Sequence, residues 1–295
     1  MIWTRLSSYQ GLKEVGGLGL QLHQYDSSSD IFNEFRINCE KCSALCCVAL
    51  YFSKFDGFPS DKVSGTPCHN LDSDFCCAIH SELYSKQMKG CLAYDCFGAG
   101  QIVASRYEPG NWRSNSQIAQ EIFEVFIKVF HLQQILWYLS EILTLMPAKT
   151  LWKKTSIYID ELHILIQFSP KDILNFNIEE LRAKVNPLLK EAGELVKREV
   201  CHTNREIKKK DFIGHNFKKS KLDGYNFSSA LLIAANLESC SLTGSNFIGA
   251  DLRDTNIKNA DLRESIFLTQ GQINAAKGNK NTRIPKHLIR PLSWM

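Results

Sequence analysis

Nine of the eleven cysteines lie between residues 39 and 96: Cys39, Cys42, Cys46, Cys47, Cys68, Cys76, Cys77, Cys91 and Cys96. Their spacing reads C-x2-C-x3-CC, then a lone Cys68, then Cys77-x2-His80, then Cys91-x4-Cys96. A C-x2-C pair lets two thiolates from one turn reach one ion, and pairs from distant segments complete tetrahedral sulfur sites. Metal ligation, a disulfide framework and unliganded packing thiols all compete for this pattern, and density and spacing favour metal. The start of the chain, "MIWTRLSSYQGLKEVGG", lacks the apolar stretch and cleavage site of a secretory signal. A cytoplasmic, reducing location is therefore expected, which disfavours disulfides. Zinc is the expected ion, with iron or an iron–sulfur cluster as the alternative, since sulfur-rich sites suit both. No C-x2-C-x2-C-x3-C-P run of the ferredoxin type is present.

Other residues with chemical capacity are sparse. Asp95 is the best acid–base candidate, but a turn or capping aspartate is the simpler reading. "FGAG" (97–100) lacks a full G-x-G-x-x-G and reads as a turn. His131 and His163 read as polar-face or core histidines. Lysines gather at Lys208, Lys209, Lys210, Lys218, Lys219 and Lys221. They read as solvated surface, with an acidic partner, nucleic acid included, as the weaker alternative. The formal charge of +4 over 295 residues is too mild to imply nucleic acid. No uncharged apolar run approaches the ~20 residues of a membrane span, so none is expected.

The elements that hold these residues announce themselves by period. Every fifth residue from Phe212 to Phe267 is large and apolar, twelve in succession. Two positions before each, from Ala230 on, the residue is small: Ala230, Ala235, Cys240, Ser245, Ala250, Thr255, Ala260 and Ser265. Neither a helix (3.6) nor a strand (2) has this period. A chain that turns a corner every five residues does, and four corners close a coil of twenty. Phe227, Phe247 and Phe267 then stack in one column, and Leu222, Leu242 and Leu262 in another. Lys210, His215 and Tyr225 break the small-residue rule and predict a distorted entry coil. "TQGQINAAKG" predicts a short helix stopped by Gly278 that covers the open last coil. Between the cysteines and the coil, residues 117–146 alternate apolar spacings of three and four, which predicts a core helix, or else a dimer seam. Further helices are expected over 151–168 and 178–200, the latter capped by Asn177 with Glu180 and kinked or split at Pro187.

The repeat, with "ADLRD" and "ADLRE" matching A(D/N)LxX outright, resembles the pentapeptide-repeat family. That resemblance implies a right-handed quadrilateral β-helix. Some members protect DNA topoisomerases by imitating duplex DNA, which requires a negative surface. From Asp211 to Phe267 seven acids face six bases, net −1, too little for mimicry. The pieces "CEKCSALCC", "GTPCHNL", "CAIH" and "GCLAYDC" resemble the zinc/iron-chelating cysteine-cluster family. Carried over position by position, that resemblance implies Cys39, Cys42, Cys46, Cys47, Cys68, Cys77, Cys91 and Cys96 as metal ligands. His80 stands where that family has His or Tyr; Cys76 has no counterpart and reads as packing.

The expected architecture is therefore multi-domain: a Cys-rich metal-binding domain (30–110), a helical domain or linker (115–205), a pentapeptide-repeat β-helix (208–270) and a C-terminal cap (271–295). The expected function is a non-enzymatic, metal-stabilised scaffold presenting the coil to a macromolecular partner, a protein before a nucleic acid. A metal-dependent or iron–sulfur redox protein, and antimicrobial resistance by target protection, are the alternatives.

Overall fold

The computed structural model describes residues 22–23, 31–107, 111–201 and 209–295. Lys208 and the ends of two expected domains, at residues 30, 108–110 and 202–205, lie outside the described residues.

The coil occupies the C-terminal third. Asp211 bridges Leu231 in parallel, Asn216 bridges Asn236, Lys221 bridges Ser241 and Asn226 bridges Asn246. Each of these partners bridges a residue twenty positions on, at Asp251, Asn256, Asp261 and Ile266. Four bridges per coil make a square cross-section. Among the described residues no continuous strand forms, so the coil is built of isolated bridges. The corner has a simple origin. Residues 214, 219, 224, 229, 234, 239, 244, 249, 254 and 259 all take φ between 54° and 70°. One left-handed residue in five turns the chain around each corner of the square.

The consensus residues explain themselves at these corners. The Asp or Asn side chain accepts the amide two residues on: Asn236 Oδ1 from Glu238 N (3.1 Å), Asn246 Oδ1 from Ile248 N (3.0 Å), Asp251 Oδ1 from Arg253 N (3.1 Å). These are Asx turns, which hold a corner locally. The small inward residues leave room for the large ones. Where they carry a hydroxyl it donates to a carbonyl of the preceding coil: Ser245 to Leu222 O (2.6 Å), Thr255 to Leu232 O (2.7 Å), Ser265 to Leu242 O (2.9 Å). Phe227, Phe247 and Phe267 are wholly buried, and the first two rings stack at 5.3 Å. The first coil holds full bridge register despite Lys210, His215 and Tyr225. Its expected distortion is absent because Lys210 and His215 lie exposed, and His215 instead covers Phe217 at 4.3 Å.

Nine helices are described: α1 (Leu45–Ala49), α2 (Lys89–Ala93), α3 (Ala99–Ala104), α4 (Asn111–Ser114), α5 (Ser116–Ile142), α6 (Trp152–Ile166), α7 (Pro170–Asn175), α8 (Ile178–Val200) and α9 (Gln270–Ala275). Asn115 and Asn177 accept the first amides of α5 and α8 as N-caps. The Asn177 side chain also donates through Nδ2 to Glu180 Oε1 at 2.9 Å, in place of the backbone bond of a capping box. α8 continues through Pro187 as one helix. By length and composition α5 would also cross a bilayer. Here its apolar face is spent on protein: Val125, Phe126, Val129, Leu132, Leu136 and Leu139 are wholly buried.

The helices do not merely link. α8 lies against the coil where Gly224 and Gly244 hold positive φ; a Cβ on Gly244 would stand 2.7 Å from Val200. Trp137 on α5 donates to Leu268 O (3.1 Å), and Glu141 Oε1 accepts the Phe267 amide (2.7 Å). Glu264, at the edge of the last coil, accepts the amides of Leu22 (2.7 Å) and His23 (3.2 Å). One contiguous set of buried side chains thus runs from Leu22 to Trp294, and Phe52, Phe58 and Met88 form a small satellite.

The C-terminal cap differs from expectation in two ways. α9 ends at Ala275, not at Gly278, which instead lies flat under the Trp294 ring. The coil then resumes: Lys277 bridges Asn256 and Arg283 bridges Asp261, while Thr282 donates to Ile257 O (3.0 Å). α9 does cover open carbonyls, since Gln272 Nε2 donates to Phe247 O and Ala250 O (both 2.8 Å). It also packs on α2, with Gly271 so close to Ala93 O that a Cβ would lie 2.6 Å away.

Candidate metal centre

Four short segments carry the cysteines. Cys39 opens a 3-10 turn capped by Asn38, and Cys42 follows it. Cys46 and Cys47 sit on α1, and Cys68 is tied to that helix by its amide, which donates to Cys47 O (3.0 Å). Leu71 bridges Cys77 in antiparallel fashion, which folds the Cys68 and Cys77 arms together. Cys91 lies on α2, and Cys96 immediately precedes the Phe97–Gly98 turn into α3. None of the cysteines between residues 39 and 96 is in a disulfide.

The electrostatic neighbourhoods of the eight expected ligands overlap. Cys39 feels Cys47, Cys77 and Cys76; Cys42 feels Cys96, Cys39 and Cys47; Cys46 feels Cys47, Cys42 and Cys96. Cys91 feels Cys47, Cys68 and Cys77, and Cys77 feels Cys47 and Cys68. The Cys46 and Cys47 sulfurs are 4.0 Å apart. Burial is the largest cause that pushes Cys42 and Cys91 up to about 12 and Cys96 up to about 11. Cys47 moves down, chiefly through the hydrogen bond with Cys46 and then through Lys62.

Sulfurs held this way without a cation stay protonated at neutral pH, and an ion must displace those protons to bind. Among the described residues, no three His, Cys, Asp or Glu side chains close on one point tightly enough to hold an ion. The donor chemistry nonetheless fits a thiolate-bound metal. Backbone amides donate to the sulfurs: Asn70 N to Cys68 (3.5 Å), Leu45 N to Cys42, Ile79 N to Cys77, and Gly98 N and Gly100 N to Cys96. Such amides stabilise thiolate charge and orient ligands. Gly100 forms a cradle: a Cβ there would meet Cys42 Sγ at 2.6 Å and Cys96 Sγ at 3.9 Å.

Cys76, His80 and Asp95 are the remaining expected residues. Cys76 is exposed, and its thiol is raised first by Asp74. His80 is exposed on a 3-10 turn, with its amide donating to Cys77 O (3.1 Å). Asp95 serves the turn, accepting the Phe97 amide at 2.8 Å, and burial pushes it up to about 6. Interior ionisable residues went unsuspected, Lys62 and Glu141 among them. Lys62 is 8 % exposed, with Cys68, Cys47, Cys46 and Cys91 among its electrostatic neighbours. Glu141 is wholly buried where α5 meets the last coil, and burial raises it to about 8. In sequence Lys62 sits within "PSDKVSG", which looks like any surface loop, and Glu141 looks like any polar-face residue.

A family model described as Pentapeptide repeats matches eight copies over residues 211–247 and 230–267. That match takes in the coil and excludes the cysteines. A Bacillus subtilis (strain 168) protein, described as "Uncharacterized protein YybG", is 48% identical over 274 residues, covering 92% of this chain and 95% of that protein. The chain belongs to that protein's family. The alignment spans nearly the whole of both chains. Two solved pentapeptide repeat proteins also resemble part of the chain. One, Rfr23 from the cyanobacterium Cyanothece 51142, is 24% identical over 25% of this chain and 53% of its own, with TM-score 0.19. The other, from the Arabidopsis thaliana thylakoid lumen, is 23% identical over 26% of this chain and 59% of its own, with TM-score 0.18.

Proposed function

We propose that the protein is a non-enzymatic scaffold in which a metal–thiolate region and a helical layer hold the pentapeptide coil as one rigid unit, leaving part of its surface to a protein partner. Zinc, bound by the eight cysteines, is the ion this reading assigns. Its role is structural: four thiolates leave no open coordination position for a substrate.

The observation that carries the reading is the unequal treatment of the coil's faces. α5 and α8 cover the face of Asn246, Ile266 and Leu268, and α8 reaches over Gly224 and Gly244. The face of Asp211, Leu231 and Asp251 stays open, with Ile213 54% and Leu231 41% exposed. Its charges are satisfied within the chain: Arg253 pairs with Asp251 (2.6 Å), and Asp254 pairs with Lys89 (3.1 Å) and Lys277 (2.9 Å). On other faces Asp261 pairs with Arg263 (2.6 Å) and Glu238 with Lys218 (3.1 Å). Acids so neutralised make a poor imitation of a phosphate backbone, which argues against target protection by DNA mimicry. An apolar centre rimmed by paired charges suits a protein.

The test is site-resolved cross-linking in the native host with Ile213→Glu and Leu231→Glu together. Loss of a defined cross-linked protein, at unchanged thermal unfolding, supports the reading. Identical cross-links from both chains contradict it.

A further inference from the structure

α6 has two unlike faces. Its inner face, with Thr155, Leu162, Leu165 and Ile166, is buried against the chain. Its outer face carries Ile157, 52% exposed, and Ile164, 60% exposed, with Phe168 just beyond the helix at 46%. Ile157 and Ile164 are seven residues apart, two helical turns, so they stand on one line about 10 Å apart. A single exposed apolar residue needs no explanation, but a row of them on one helix face does. α5, the other helix on which a partner seam is expected, spends its apolar face inside the chain, where Val125, Phe126, Val129, Leu132 and Leu136 are wholly buried.

Charge brackets the α6 row in a definite order. Lys153 and Lys154 precede Ile157 by four and three residues, and Asp160 and Glu161 follow it by three and four. All four are exposed, and none of their side chains has a hydrogen bond or ion pair with another described residue. Asp160 acts on His163 through space. Within the helix the opposite charges are six to eight residues apart, beyond the three- or four-residue reach of a helical pair. On the coil, by contrast, Asp251, Asp254, Asp261 and Glu238 all find partners within the chain.

A second α6, turned end for end and centred on Ile157, answers each of these features. Ile157 meets its own copy, Lys153 faces Glu161 and Lys154 faces Asp160, each pairing made twice by symmetry. Ile164 and Phe168 lengthen the apolar strip on both sides of that centre. In a parallel pairing lysines would face lysines and acids would face acids, which repel.

We infer that the outer face of α6 is the seam of an antiparallel homodimer with its two-fold axis at Ile157. The inference stands apart from the metal and from the open face of the coil. One helix pair lies at the small end of specific interfaces, ~1,000 Å² in total, so a dimer of micromolar strength is expected.

The test is sedimentation equilibrium of the full chain at micromolar concentrations, under reducing conditions that exclude cross-links between exposed cysteines. Two charge-reversed variants are compared with the wild type: Lys153→Glu with Lys154→Glu, and Asp160→Lys with Glu161→Lys. The wild type should dimerise. Each variant alone sets like charges face to face and should associate at least about tenfold more weakly. Mixed in equal amounts, the two variants restore every opposite pairing and should form a heterodimer close to wild-type strength. A wild type that stays monomeric throughout overturns the inference and leaves the face to solvent or to a different protein. A variant that dimerises as well as the wild type overturns it too, as does a mixture that stays monomeric. Should a variant fail to fold, the wild type still decides: its dimer must weaken as salt screens the pairs, and a dimer indifferent to salt contradicts the inference.

Discussion

The coil and the cysteine region are of similar size, and they solve the problem of order by different means. In the coil every fifth side chain but the half-buried Phe217 is buried, and each coil covers the next through phenylalanine stacks and carbonyls filled by small hydroxyls. Its stability is the sum of near-identical neighbours. The cysteine region has only short helices and 3-10 turns, and part of it relies on a satellite of three buried residues, Phe52, Phe58 and Met88. Apolar burial on that scale does not fix so many turns. On the reading proposed above, metal-bound sulfurs supply what apolar burial lacks there, so that one half is held by repetition and the other by charge.

That contrast can be broken from the coil side first. Phe247→Ala empties the middle of the stack and should cost about 3–5 kcal/mol. Denaturant unfolding followed by fluorescence would measure it, and a loss below about 1 kcal/mol would mean that the column is not what holds the coil.

A smaller effect probes the seam between helices and coil. Glu141 lies wholly buried with Oε1 on the Phe267 amide and Oε2 without a partner. Its folded-state value of about 8 stands above the ordinary carboxylate value. The folded protein therefore holds a proton that the unfolded chain releases. The stability this contributes is complete below about pH 4 and is lost as pH rises to about 8, by at most about 1.4 kcal/mol per pH unit. Glu141→Gln keeps an acceptor for Phe267 and cannot ionise. Thermal unfolding between pH 5 and 8 should therefore fall less steeply in the variant, and parallel curves would show that Glu141 is not the titrating group.

The smallest effect sharpens the comparison by touching neither device. Asn177→Ala removes the cap of α8 and should cost about 1 kcal/mol. It should leave exchange protection in the coil interior and around the cysteines in proportion to each other. A selective loss in the coil would show that α8 is part of the coil's own stability.

The coil was legible in sequence because its signal repeats. Twelve inward residues and the Asp or Asn at the corners fix the register before any contact is known. Legibility stopped where the period slipped. Lys277 and Arg283 rejoin the coil 21 and 22 residues after their partners, so a strict count of twenty passes over them. α9 was readable as a helix, yet its seat on α2 was not, because Gly271 and Ala93 are distant in sequence and neither is unusual in type. In the cysteine region the residues were legible and their grouping was not. Nothing in the spacing says which cysteines the fold brings near one another; the fold ties Cys68 to Cys47 on α1 and pairs Leu71 with Cys77. Lys62 was invisible for a related reason, since a lysine's burial depends on what folds over it.

The most direct test of the account is region-resolved hydrogen exchange on the full chain, purified without air, before and after removal of bound metal by a chelator under reducing conditions. The account predicts that amides between Cys39 and Cys96 lose protection when the metal leaves, while amides of the coil from Leu222 to Phe267 keep theirs. Unchanged protection around the cysteines in a metal-free chain would contradict it.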